Sequence, residues 1–139
     1  LSAVQLHHAG IRSPKDIVGT PLGPFADAET GARALTSAEV EQLRDSFIAA
    51  AVRAERAGFD GAEIHGAHGY VLAQLLDAEN NTRSDGWGGT VDHDGVFVGH
   101  GLVQRAAQGA APAHSRSGQR WTHFMTAAPM EMSRSESGA

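Results

Sequence analysis

The fold of this chain is decided by the stretch AGFDGAEIHGAHGY at residues 57–70. It opens with Ala-Gly-Phe-Asp-Gly, which is typical of a helix end followed by a tight turn. Residues 61–65 are a short, mostly apolar run that predicts a buried strand. Because side chains alternate along a strand, we expect Glu63 and His65 to share one face. The stretch therefore predicts a helix-to-strand unit that ends in a glycine-rich turn.

Side chains that can move or donate protons are concentrated at that turn: Glu63, His65, His68 and Tyr70. The glycines between them let the backbone bend sharply, which can bring both imidazoles and the phenol around one small volume. Such a group can hold a carbonyl oxygen and deliver a proton beside it. The alternative is a strand end whose polar residues only meet water.

The segment before this stretch predicts one amphipathic helix over residues 37–57. Thr36 and Glu39 form a capping-box pattern at its start, and apolar residues then recur at helical spacing. Gly58 stands where a left-handed cap residue is favoured. This helix is the element that the sequence specifies most completely.

The other segments give the order of an α/β protein. We expect a buried strand end at residues 3–6, a long connection at 7–34, a short helix at 70–76 and a polar loop at 77–90. Strands separated by a long loop and a helix predict parallel pairing. In such folds the chemistry gathers at the carboxyl ends of the strands.

Bulk properties are those of one ordinary domain of 139 residues with a formal net charge of −5 and no cysteine. Nothing basic suggests nucleic acid or an anionic membrane as a partner. No apolar run is long enough for a bilayer span or a signal peptide. The lack of cysteine excludes disulfides and thiol chemistry and fits a reducing compartment, so we expect a cytoplasmic protein.

Three sequence blocks resemble the old yellow enzyme family of flavin-dependent ene-reductases: QLHHAG at 5–10, the stretch at 57–70 and NTRSDGWGGT at 81–90. The resemblance covers roughly residues 1–91. It implies an incomplete (β/α)8 TIM barrel, from about the third strand to the loop after the fourth. It also implies noncovalent FMN, NAD(P)H as the reductant, and hydride transfer from the flavin to an activated alkene.

The resemblance assigns roles to four residues. Gln5 matches the residue that hydrogen-bonds the pyrimidine edge of the flavin. His65 and His68 match the pair that binds the carbonyl or nitro oxygen of the substrate, and Tyr70 matches the proton donor to the α-carbon. These roles agree with the chemistry above, since hydride addition builds negative charge on an oxygen that two N–H donors stabilise. The expected partner is a small unsaturated carbonyl compound.

Polar residues near these positions are interpreted as supporting ones. We expect His7 and His8 to pack or to support the site, Arg12 to be an exposed loop arginine, and Glu63 to anchor a histidine or a backbone group.

We expect contacts within the loop after the short helix to stabilise that loop. Arg83 and Asp85 are expected to pair, with a contribution of about 0–1 kcal/mol if the pair is on the surface. Trp87 is expected to pack within its loop.

The resemblance stops after residue 91. The family usually continues with Glu-Asn-Arg and a long helix, whereas this chain reads DHDGVF at 92–97. We therefore expect a partial FMN-binding barrel at 1–91 and an atypical, poorly ordered tail at 92–139, as in a gene fragment with a frame-shifted end. Translating the coding DNA in its other two frames tests this, and finding no family-like helix or barrel strands would remove it.

Three functions stay open from the sequence. The first is FMN-dependent reduction of activated alkenes. The second is an inactive fragment that associates with itself, because a few βα units leave strand edges and apolar faces exposed. The third is a metal-dependent hydrolase with His65, His68 and Glu63 as ligands and His7 as a further one.

Overall fold

The computed structural model describes residues 1–88 and the backbone of residues 122–126. The elements, in chain order, are β1 (Ala3–Leu6), a 3-10 helix (Gly10–Arg12), α1 (Lys15–Val18), β2 (Leu22–Gly23), β3 (Arg33–Ala34), α2 (Ser37–Arg56), β4 (Gly61–His65), α3 (Val71–Leu75) and β5 (Thr122–Thr126).

The main sheet has the strand order β1-β4-β5, and both pairings are parallel. Gln5 lies opposite Glu63 in the register of β1 and β4, and Leu6 lies opposite Ile64. A second small sheet pairs β2 with β3 inside the long connection after β1. Helix α2 joins β1 to its parallel neighbour β4, which confirms the predicted α/β class with parallel strands.

Helix α2 runs from Ser37 to Arg56, within one residue of the predicted end. The predicted capping box is present: Thr36 Oγ1 accepts from the Glu39 amide at 3.2 Å, and Glu39 Oε2 accepts from the Thr36 amide at 2.8 Å. Gly58 has a φ of 91°, the left-handed conformation expected there. Local signals therefore fix both ends of this helix.

The core lies between α2, the sheet and α3. Val40 and Phe47 of α2 belong to the same buried cluster as Ile64 of β4 and Leu72 and Leu75 of α3. Burying each large apolar side chain contributes about 1.5–3 kcal/mol. Because strand side chains alternate, this packing leaves the other face of β1 and β4 to polar residues.

Arg83 links the loop after α3 to segments that are distant in the chain, and its side chain is 11% exposed. It forms the predicted pair with Asp85, and it also donates to the carbonyl oxygens of Pro24 and Leu35. Arg83 therefore stabilises more than its own loop, because its guanidinium also binds the segments that contain Pro24 and Leu35. Trp87 packs against the core, as predicted.

The backbone differs from the expected irregular tail at one place. Residues 122–126 form strand β5, which pairs in parallel with β4. Threonine and phenylalanine favour strands, and the free edge of β4 offers a ladder of backbone hydrogen bonds. The rest of the predicted tail and the boundary at 91/92 lie outside the described residues. Within the described part of the chain, no helix is both long and apolar enough to cross a membrane.

Candidate active site

The carboxyl ends of β1 and β4 lie side by side and carry the candidate site. His65 is the last residue of β4, and the chain then turns sharply through His68, with a φ of 58°, and Gly69, with a φ of 70°. Left-handed backbone at two successive residues reverses the chain and returns Tyr70 toward the strand end. The bend predicted from the glycines is therefore present.

The three rings predicted from the sequence lie together. The ring centroid of His65 is 5.1 Å from that of His68 and 5.3 Å from that of Tyr70. His68 Nδ1 is 3.3 Å from His65 Nε2, within hydrogen-bond distance. His65 is buried, whereas His68 is exposed. One imidazole is thus fixed in the protein while its neighbour faces the surface.

His7 joins these rings from the end of β1, which agrees with its expected place beside the site. Its ring centroid is 5.2 Å from that of Tyr70 and 6.1 Å from that of His65. The strand register explains the contact: because Gln5 lies opposite Glu63, the residue just past the end of β1 comes level with His65. We call His7, His65, His68 and Tyr70 the ring cluster.

His8 supports the loop after β1, as expected. Its Nδ1 accepts a hydrogen bond from the Gly10 amide at 3.0 Å. Burial, and then the neighbouring His7, lowers the pKa of His8 from its ordinary value. A lowered pKa favours the neutral imidazole, which is the form that can accept this bond.

Gln5 and Glu63 form a polar pair on neighbouring strands, two residues before His7 and His65 in the chain. The side-chain Nε2 of Gln5 donates to Glu63 Oε2 at 3.0 Å, so Glu63 binds a glutamine, a partner that was not predicted from the sequence. Gln5 is exposed and lies on the strand face that carries His7. Its carboxamide offers a donor and an acceptor together, which suits the imide edge of a flavin.

Arg12 also contributes to the site. It is exposed, as expected, but its Nη1 donates to the carbonyl oxygen of His68 at 2.9 Å. A Cβ at Gly69 would lie 3.3 Å from the guanidinium carbon, so a glycine there lets Arg12 lie across the turn.

The hydrolase alternative gains no support from the described residues. Among them, no group of three or more His, Cys, Asp or Glu side chains is arranged to hold a metal ion.

Parallel βα units with polar side chains gathered at the carboxyl ends of their strands define an α/β protein with a candidate site at that rim. A sequence profile of the NADH:flavin oxidoreductase / NADH oxidase family matches residues 1–98. The chain belongs to this family, the old yellow enzyme family that its three sequence blocks resemble. Membership implies FMN as the cofactor and NAD(P)H as the reductant. The match also runs seven residues beyond the predicted domain end at 91.

Individual relatives agree with this assignment. The chain is 45% identical over 95 residues to a probable NADH-dependent flavin oxidoreductase, YqiG, of Bacillus subtilis, which covers 64% of this chain and 25% of the relative. It is 41% identical over 100 residues to an NADPH dehydrogenase of Clostridium acetobutylicum, covering 69% of this chain and 29% of the relative.

Structural comparison points the same way. The crystal structure of an old yellow enzyme homologue from Zymomonas mobilis superposes with a TM-score of 0.64 at 31% identity, over 76% of this chain and 32% of that chain. Such structural neighbours are TIM-barrel proteins. This chain therefore spans about a quarter to a third of the length of the relatives it matches.

Proposed function

We propose that this chain carries the substrate-binding rim of an FMN-dependent oxidoreductase that reduces activated alkenes, such as enones, with NAD(P)H. The observation that carries the proposal is the convergence of His68 and Tyr70 on His65, each with its ring centroid little more than 5 Å from that of His65. Residues 1–91 are, in this proposal, a partial barrel from about the third strand to the loop after the fourth.

His65 and His68 hold the carbonyl oxygen of the substrate. Hydride addition to the β-carbon builds negative charge on that oxygen, and two N–H donors close to each other stabilise it. Their facing nitrogens are 3.3 Å apart, so a substrate oxygen that accepts from both would replace the contact between them. Removing one such donor costs roughly 3–4 kcal/mol of transition-state stabilisation.

Tyr70 donates the proton that completes the reduction. A phenol next to the oxygen-binding imidazoles can protonate the α-carbon as charge develops. Gln5 would hold the pyrimidine edge of FMN on the same strand face, and the bound flavin supplies the hydride. The roles of all four residues rest on their positions and on their match to the family.

A second candidate applies to the isolated chain: association with itself. Within the described residues, β1 has a sheet partner on only one side. A groove of about 270 Å³ lies between the end of β1 and α2, lined in part by Leu6, Leu43 and Phe47. An open strand edge next to apolar side chains favours pairing with another copy.

Flavin retention by the purified chain of 139 residues separates the two. The first proposal predicts that FMN stays with the chain through gel filtration and that NAD(P)H then drives reduction of cyclohexenone. A Gln5→Leu variant should retain less FMN, with Gln42→Leu on α2 as the control. A chain that elutes as an oligomer with no flavin and no turnover would contradict the first proposal and favour self-association.

A further inference from the structure

We infer that Gln74 is a positioning residue that holds the two loops of the ring cluster at a fixed separation. The inference rests on the proposed function only in taking the ring cluster as the site. Gln74 belongs to α3, and its side-chain hydrogen bonds go to the backbone of the two loops and not to the rings, so it acts through the loops that it joins.

The contacts of Gln74 reach both loops at once. Its side-chain oxygen accepts from the Ile11 amide at 3.1 Å, and its side-chain nitrogen donates to the carbonyl oxygens of Gly69 at 2.7 Å and Ala9 at 3.3 Å. Gln74 is only 4% exposed. A buried amide with these three partners has little freedom, because each lost bond leaves a buried polar group unsatisfied.

The backbone on the β1 side approaches this amide closely. A Cβ at Gly10 would lie 2.7 Å from the side-chain carbonyl carbon of Gln74, so only a glycine fits. The φ of Gly10 is 64°, which also favours glycine. The backbone of the loop after β1 can therefore contact the Gln74 side chain only because residue 10 is a glycine.

The bonded atoms are next to site residues. Gly69 lies between His68 and Tyr70 in the chain, and Ala9 is two residues after His7. Of the ring contacts, the one between His7 and Tyr70 crosses from one loop to the other, whereas the contact between His65 and His68 stays on the β4 side. Loss of the Gln74 amide should therefore open the first contact and spare the second.

The test is the nuclear Overhauser effect between the His7 and Tyr70 rings in the full-length chain. Tyr70 is the sole tyrosine, so its signals are unambiguous. We expect Gln74→Met to remove most of this cross-peak while the cross-peak between His65 and His68 remains. The matched control is Asn81→Leu, because Asn81 is also a buried amide, 2% exposed, and it donates to carbonyls of Leu75 and Trp87 instead.

An unchanged cross-peak in Gln74→Met, or an equal loss in Asn81→Leu, would overturn the inference. If Gln74→Met does not fold, the same comparison is made with Gln74→Glu, which keeps an acceptor for Ile11 and removes the amide donor. If neither variant folds while Asn81→Leu does, Gln74 is a residue of the fold and the positioning inference fails. Because the measurement needs no flavin, it is independent of whether the proposed reaction is correct.

Discussion

At the scale of the residue, some groups of the site can be predicted from the sequence and others cannot. His65, His68 and Tyr70 could be found because strand alternation and adjacent glycines are local patterns. Gln74 and Arg12 could not, because they act through backbone carbonyls of segments distant in the chain. Nothing in the sequence around Gln74 distinguishes it from an ordinary polar residue of a short helix.

The left-handed backbone of His68 gives a prediction about which replacements the turn accepts. Asparagine tolerates this conformation, whereas a β-branched residue is strained there. We expect His68→Val to lower the free energy of unfolding by about 1–2 kcal/mol and His68→Asn to lower it much less. Urea unfolding of the two variants measures the difference, and equal losses would contradict the turn geometry.

Two carboxylates predict how stability depends on pH. Arg33, with help from the Thr36 amide, lowers the pKa of Glu39 to about 2, and Arg83 with Ser37 lowers the pKa of Asp85 to about 2. Since both pKa values are lower in the folded chain than in the unfolded one, this stabilisation is complete above about pH 5 and is lost as the pH falls toward 2.

The measurement is urea unfolding across that range of pH. Glu39→Gln and Asp85→Asn should each flatten the decline in stability, and Arg33→Met should flatten it as Glu39→Gln does. Unaltered pH curves in all three variants would mean that these pairs do not form.

At the scale of the element, α2 was predictable to within a residue because its signals are local. The capping box, the helical spacing and Gly58 all lie within the helix or next to it. The loop at 81–88 was predictable only in part. The pairing of Arg83 with Asp85 is a local pattern, but the carbonyls of Pro24 and Leu35 that complete the contacts are far away in the chain.

The N-cap of α2 gives a prediction of its own. Thr36→Ala removes the acceptor for the Glu39 amide and should lower the free energy of unfolding by about 1 kcal/mol. Ser46→Ala is the matched control, because Ser46 is exposed in the middle of the helix and its hydroxyl donates to the Gln42 carbonyl oxygen. That control should be neutral or slightly stabilising, since alanine is the better helix former. Equal losses would show that the cap contributes nothing specific.

At the scale of the whole molecule, the parallel arrangement of β1 and β4 brings the candidate site residues to one edge of the sheet. The α/β class with parallel strands could be predicted from the order of the elements, whereas the barrel is an expectation from the resemblance to the family. Strand β5 could not be predicted, because the pairing between residues 61–65 and 122–126 joins segments that are distant in the chain and has no local sequence pattern. Family membership rests on the match over residues 1–98.

The central claim is that the ring cluster binds and protonates an activated alkene. The most direct test completes the barrel, by placing the family-matched segment of this chain in the Bacillus subtilis relative in place of the corresponding segment. The two half-reactions are then followed separately by stopped-flow absorbance, with and without Tyr70→Phe. We predict that Tyr70→Phe slows reoxidation by cyclohexenone by about 10²–10⁴-fold and leaves reduction by NADH nearly unchanged. Equal slowing of both half-reactions, or no slowing of the alkene step, would contradict the account.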